Sequence, residues 1–171
     1  KEDNEKFPEL LVMQYLSGEE YSVDCLSNSE EFLCVTRKRE VIKEGVCTTG
    51  TAVEKKDLIE LSKLVYEELG LQYNVNIQFK YDQLGNPKIL EINPRLSGTL
   101  ELCRGAGINL VEVGVKNLLG YKTKTGLNDK IIWETQMIRI WQEVFYTKDK
   151  IFTLENIDTL LDCESAKDEI L

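Results

Sequence analysis

Four polar residues at fixed spacing hold the chemistry most readily read from this chain: Gln78, Glu91, Asn93 and Arg95. In residues 74–81, Val75, Ile77, Phe79 and Tyr81 fall on one face and Asn76, Gln78 and Lys80 on the other. Residues 88–93 place Glu91 and Asn93 together on one face, and Pro94 and Arg95 follow. Strict alternation predicts two half-buried strands. The turn formers of residues 82–87 predict that they form an antiparallel hairpin. With an even-length loop and no bulge, Gln78 lies directly across from Glu91 or Asn93. One carboxylate and up to three amide oxygens, Asn76 included, then share a surface with Arg95 beside them. Oxygen ligands of this kind suit Mg²⁺ (or Mn²⁺) held jointly by protein and phosphates. A guanidinium suits a phosphate oxygen. The plainer alternative is a solvated strand face with cross-strand amide hydrogen bonds and a surface ion pair at Arg95.

The composition bounds what surrounds these residues. A chain of 171 residues, 42% hydrophobic and 30% charged, has enough material for one globular domain. Its net charge of −9 argues against nucleic acid as a partner, although a local cation and a metal suffice for a nucleotide. No apolar run is long enough to span a membrane and no signal peptide is visible, so a cytoplasmic setting is expected. The five cysteines are odd in number, have no C-x-x-C spacing and predict reduced thiols. There is no histidine, which excludes a histidine base or a histidine-ligated zinc within these residues. The start at Lys1 rather than Met reads as an excised or proteolytic piece.

Residues 10–16, 20–27 and 31–41 predict three strands, with turns at Ser17-Gly18 and Ser27-Asn28-Ser29. Gly45 and Gly50 mark a loop. A helix over 54–69 follows, with Leu58, Leu61, Leu64, Val65 and Leu69 as its apolar stripe and Gly70 as its cap. Helical segments are predicted at 100–104 and 110–119, broken by Gly105 and Gly107. Residues 131–146 predict one long strand, or two, that closes the sheet. Leu160, Leu161 and Ile170 anchor a short element in the acidic stretch 154–171. Strands followed by helices imply an α+β fold, an antiparallel sheet with helices packed on one face.

Gln78 followed by Glu91-x-Asn93-Pro94-Arg95 resembles the metal-binding hairpin of ATP-grasp enzymes. The glutamine in place of an acid is most similar to the carbamoyl phosphate synthase large-subunit type. Residues 12–24 resemble the family's nucleoside-holding strand. The resemblance spans about residues 10–120 and implies that residues 1–120 are the C-terminal half of an ATP-grasp domain, completed by 121–171. It implies that Gln78, Glu91 and Asn93 hold the metal and that Arg95 contacts the transferred phosphate. It further implies that the backbone of Gln14, Tyr15 and Leu16 reads adenine and that Glu20 holds the ribose. For Glu19 and Glu20, an exposed turn after Gly18 is the plainer account. Ser97 and Thr99 would add hydroxyls to phosphate or substrate, or Thr99 caps the following helix. Where the carbamoyl phosphate synthases carry a histidine near the nucleotide, this chain has Gly45-Val46-Cys47-Thr48, with Lys43 and Glu44 before it. Cys47 as a nucleophile has no identifiable base. Arg139, among Trp133, Met137 and Trp141, reads as a substrate-carboxylate clamp or as an arginine packed on indole.

The activity implied is ligation of a small-molecule carboxylate to an amine or ammonia through an acyl-phosphate, driven by ATP. With the first nucleotide-gripping half outside these residues, this chain alone is expected to show no turnover, and association between copies stays open. Two alternatives remain: a degenerate ATP-grasp module that binds without catalysis, and an unrelated α+β interaction domain.

Overall fold

The computed structural model describes residues 9–28, 31–122, 125–148 and 151–153. They fall into two units, Lys1–Ile138 and Arg139–Leu171. The first unit is built on β1 (Glu20–Ser27), β2 (Phe32–Lys43), β3 (Val46–Ala52), β4 (Val75–Tyr81), β5 (Pro87–Asn93) and β6 (Gln136–Ile138). The sheet runs β5-β4-β1-β2-β3-β6, and every neighbouring pair is antiparallel. Helices α1 (Lys56–Glu68), α2 (Glu101–Gly105) and α3 (Leu110–Leu118) and a 3₁₀ turn (Asn128–Lys130) complete it.

Residue parity divides the core in two. Tyr21, Val23 and Cys25 of β1 join Val75, Ile77 and Phe79 of β4 and pack against Leu58 and Tyr66 of α1. The alternate residues Leu26, Leu33, Val35 and Ala52 pack with Leu102, Cys103, Ala106 and Leu110. Each such side chain taken from water contributes about 1.5–3 kcal/mol. The α+β class and the antiparallel sheet are as expected, with one refinement. The helices do not share a face: α1 covers one side, and α2 and the start of α3 cover the other. The second side is therefore covered only in part, and its remainder is where the polar residues of β4 and β5 emerge.

Helix α1 turns most of the expected stripe inward, with Leu58 buried and Leu61 and Val65 packed against the same core, and it adds Ser62 and Tyr66. Leu58, Ser62 and Tyr66 are its buried residues, at a spacing of four, while Leu64 and Leu69 are more than half exposed. The Tyr66 hydroxyl donates to the Tyr73 carbonyl at 2.7 Å, which lets a polar-tipped ring take the place of an aliphatic one. Gly70 caps the helix at φ +58 as expected, and Leu71 N–H returns to the Tyr66 carbonyl.

Three expected elements differ. Residues 10–16 form no strand; Leu11, Val12 and Tyr15 are over 80% exposed, and no described strand pairs with them. Gly50 lies within β3 rather than in a loop, where a Cβ would sit 2.7 Å from the Lys38 carbonyl. Residues 131–146 are not one strand, because Glu134 takes φ 63 in a turn just before β6. Only β6 continues the sheet, against Thr49–Thr51 of β3. The face that would align Trp133, Met137, Arg139 and Trp141 does not form. Trp133 and Met137 pack into the first unit's core, and Trp141 is 91% exposed.

The second unit contains an antiparallel pair, β7 (Val144–Tyr146) and β8 (Ile151–Thr153). The expected element around Leu160, Leu161 and Ile170 lies outside the described residues. Among the described residues, no helix is long and apolar enough to cross a membrane.

Cys25, Cys34, Cys47 and Cys103 are free and buried. Cys25 and Cys34 face each other on β1 and β2 with their sulfurs 3.9 Å apart. Burial pushes the Cys25 and Cys103 thiols well above the ordinary range, Cys34 adding to the first and Asp24 to the second. Cys47 is 5% exposed and donates to the Thr49 carbonyl, so it is no accessible nucleophile. Brief iodoacetamide labelling at pH 8, read by peptide mass spectrometry, is expected to spare all four until denaturant is added. Rapid labelling of Cys47 in the native protein would contradict this.

Candidate metal and phosphate site

The β4–β5 hairpin brings the predicted ligands together by a route that neither strand announces. Tyr81 pairs with Pro87, so the loop between them has five residues, an odd number. In that register Phe79 faces Ile89, and Leu90 would fall opposite Gln78. A bulge intervenes between Gln78 and Phe79, with Leu90 as the extra residue. Beyond it Gln78 faces Glu91, and Asn76 faces Asn93. The odd loop and the bulge cancel, and the carboxylate lands on the glutamine's face.

The side chains there form one continuous polar chain. Gln78 Nε2 and Asn93 Nδ2 (2.8 Å) both donate to Glu91 Oε1. Arg95 Nη2 reaches Asn93 Oδ1 at 3.5 Å, and its Nη1 donates to the Leu96 carbonyl. On the other flank, Arg39 Nη1 of β2 donates to Gln78 Oε1 at 3.0 Å. Its Nε lies 3.0 Å from Glu20 Oε1, an ion pair whose N–H is not aligned as a hydrogen bond. Lys80 Nζ lies 3.8 Å from Glu20 Oε2. The chain of contacts thus runs Lys80, Glu20, Arg39, Gln78, Glu91, Asn93, Arg95.

Of the expected nucleotide contacts, Glu20 belongs to this chain of residues. Gln14 and Tyr15 are exposed in the extended segment before β1, while Leu16 is buried. That segment is pinned where Gly18 N–H donates to the Tyr81 carbonyl, at the end of β4 next to Lys80. Glu19 is directed elsewhere. It accepts from Lys38 and from the Tyr21 hydroxyl at 2.8 Å, and these bonds hold its carboxyl below the usual range.

Three residues expected near phosphate are otherwise engaged. Asn76 is 1% exposed and donates to Asp24 Oδ1 and Ser22 Oγ, both at 2.9 Å. Arg37 and Asp24 form a fully buried ion pair. Arg37 Nη2 donates to Ser97 Oγ at 2.9 Å, and Nη1 donates to the Thr99 carbonyl at 3.0 Å and to the Thr99 hydroxyl. Ser97 also donates to Asp24 Oδ2 at 3.1 Å. Ser97 and Thr99 are therefore the anchors of the loop that presents Arg95. Thr99 does not cap α2, which has Leu100 at that position and no side-chain cap.

Arg39 and the Asp24–Arg37 pair were not singled out in the sequence. Their signal is parity: Glu20, Ser22 and Asp24 alternate on β1, and Arg37 and Arg39 alternate on β2. Only the register that sets Ser22 against Arg37 on one side and Gln78 on the other shows that they share a face with the hairpin.

The donor chemistry fits a hard divalent cation. Gln78 and Asn93 already direct their amide oxygens at cationic groups and their N–H₂ groups at the carboxylate. Among the described residues no group of three or more His, Cys, Asp or Glu could hold a metal ion, so a cation here needs ligands from a second molecule such as a polyphosphate. The surface is open rather than hollow. A cleft of about 620 Å³ lies at the far ends of α1 and α3, lined by Tyr66, Tyr73 and Asn117 among others, and none of the four hairpin residues borders it. The polar groups converge at the hairpin, not at this cleft.

The chain is 26% identical over 152 residues to the carbamoyl phosphate synthase large chain of Clostridium perfringens (strain SM101), covering 81% of this chain and 14% of that one. It is 28% identical over 137 residues to the arginine-specific large chain of Bacillus subtilis (strain 168), covering 72% and 13%. The chain thus spans about a seventh of the length of these relatives. Among solved structures, a biotin carboxylase from Campylobacter jejuni superposes with a TM-score of 0.59 at 17% identity, over 70% of this chain and 29% of that one. The phosphoribosylaminoimidazole carboxylase ATPase subunit of Aquifex aeolicus gives 0.58 at 16%, over 85% and 43%. The family model described as ATP-grasp in the biosynthetic pathway with Ter operon matches residues 6–138. This match, which covers more than half of the chain, makes the chain a member of the ATP-grasp family.

Proposed function

We propose that this chain supplies the metal- and phosphate-holding face of an ATP-dependent ligase. The ligase joins a small-molecule carboxylate to an amine or ammonia through an acyl-phosphate, in the cytoplasm. In this reading residues 1–120 are the C-terminal half of the ATP-grasp domain, and 121–171 complete it. The observation that carries the reading is the convergence of Gln78, Glu91, Asn93 and Arg95 on one open strand face beside Glu20.

Each residue has a role set by its position. Glu91 and the amide oxygens of Gln78 and Asn93 would hold Mg²⁺ or Mn²⁺, which when bound neutralises charge on the ATP phosphates. Pro94 fixes the backbone as the chain leaves β5, and the Arg37 bonds fix Ser97 and Thr99 beyond it. Arg95 is thereby held at the hairpin's end, where its guanidinium can steady charge on the phosphoryl group in transfer. Glu20 lies on the same face two strands from Glu91, suited to ribose hydroxyls. The backbone of Gln14, Tyr15 and Leu16 enters beside it, suited to the adenine edge.

Calorimetric titration of ADP tests this assignment. Binding is expected only with Mg²⁺ or Mn²⁺ present. Gln78→Ala and Asn93→Ala each remove an interaction with a charged group worth about 1.5–3 kcal/mol, so each should raise Kd about ten- to hundredfold. Unchanged affinity in both variants would remove the metal role.

A further inference from the structure

Arg39 occupies the atom that the metal needs. Its Nη1 donates at 3.0 Å to Gln78 Oε1, the oxygen through which Gln78 would ligate a cation. The guanidinium is held from two other sides as well, by Glu20 Oε1 at 3.0 Å from Nε and by the Gly45 carbonyl at 2.9 Å from Nη2. Its side chain is only 10% exposed. A guanidinium and a divalent cation on one neutral amide oxygen repel each other, and Gln78 carries no charge to offset that repulsion. The arrival of the metal therefore favours release of the guanidinium. Beyond the buried Asp24–Arg37 pair, the acids Glu20 and Glu91 meet Arg39, Lys80 and Arg95, so this part of the face carries more cations than anions. A metal without its own anions would add to that excess.

We propose that Arg39 is the resident cation of the site: it holds Gln78 and Glu20 in place before nucleotide arrives, yields Gln78 to the incoming metal, and then takes a phosphate oxygen of the nucleotide. This rests on the metal reading above and adds to it a phosphate ligand from β2. It also makes the face reject free metal, since only a cation that brings phosphate gives the displaced guanidinium a new partner. The Gly45 bond ties this exchange to the tip of the β2–β3 hairpin. That tip is a two-residue turn with Glu44 at φ 50 and Gly45 at φ 80, between the paired Lys43 and Val46. Release of the guanidinium frees the tip.

The test is Mn²⁺ binding, followed by the electron paramagnetic resonance of the free ion, with and without ADP. The proposal expects wild type to bind Mn²⁺ alone weakly. Arg39→Met should bind Mn²⁺ alone at least tenfold more tightly, and adding Glu91→Ala should abolish the gain. With ADP present the order should reverse, Arg39→Met holding Mn²⁺–ADP at least tenfold less tightly than wild type. A role in folding alone would not move the two affinities in opposite directions. If Arg39→Met does not fold, Arg39→Gln carries the same comparison. Equal Mn²⁺ affinity in variant and wild type overturns the proposal. If that result comes with Glu91-dependent binding of Mn²⁺–ADP, the metal reading stands without it. If no binding depends on Glu91, both fall.

Discussion

Replacing Arg37 with Met is expected to destabilise the first unit by about 3–5 kcal/mol, as breaking a buried ion pair does. Arg37 is 2% exposed, and four of its bonds run to Asp24, Ser22, Ser97 and Thr99. Burial opposes its charge, yet the guanidinium is held above its ordinary pKa, with Asp24 foremost among the neighbours that raise it. Methionine fills much of the volume but leaves Asp24 a buried carboxylate with only neutral donors: Asn76, Ser97 and Cys103. Adding Asp24→Asn removes that charge while keeping an acceptor of the same shape. The double variant should therefore recover more than half of the loss. Urea melts of wild type, the single variant and the double variant measure both effects. A single-variant loss below about 1 kcal/mol would show that the pair does not hold the loop carrying Arg95.

The sequence carried the hairpin and the face shared by Gln78, Glu91 and Asn93 well, because alternation shows which residues lie together. It did not carry how Gln78 meets Glu91. The expected condition was an even loop without a bulge, and the molecule has an odd loop with one. Leu90 looks like any apolar strand residue, and whether it is paired or bulged depends on β4, which no local pattern records. Asn76, Ser97 and Thr99 were assigned to the ligand side because their types suit phosphate and metal. They serve a buried ion pair instead, since Asp24 and Arg37 lie beneath them on neighbouring strands. Registry between β1, β2 and β4 decides that, and it is non-local. Arg39 was passed over for the same reason. In α1 the spacing of leucines located Leu58, Leu61 and Val65 on the core side, but not Tyr66, whose ring turns inward because its hydroxyl finds the Tyr73 carbonyl. The late stretch resolved as two short strands rather than one long one: β6 closes the sheet after Glu134 turns the chain at positive φ, and β7 pairs with β8.

The central claim is that Glu91 anchors a metal-dependent nucleotide site on the β4–β5 hairpin. Thermal melting of the protein with ADP and Mg²⁺ in excess, beside Glu91→Ala, tests it most directly. Ligand at about 100 times its Kd adds roughly 2.7 kcal/mol, which for a unit of this size is a rise of about 5–10 °C in Tm. Glu91 is exposed and both its neighbouring amides can turn to water, so its removal should leave the unliganded Tm nearly unchanged. The account predicts a rise in wild type that requires Mg²⁺ and disappears in Glu91→Ala. A rise of equal size in Glu91→Ala, one independent of Mg²⁺, or none in wild type would contradict it.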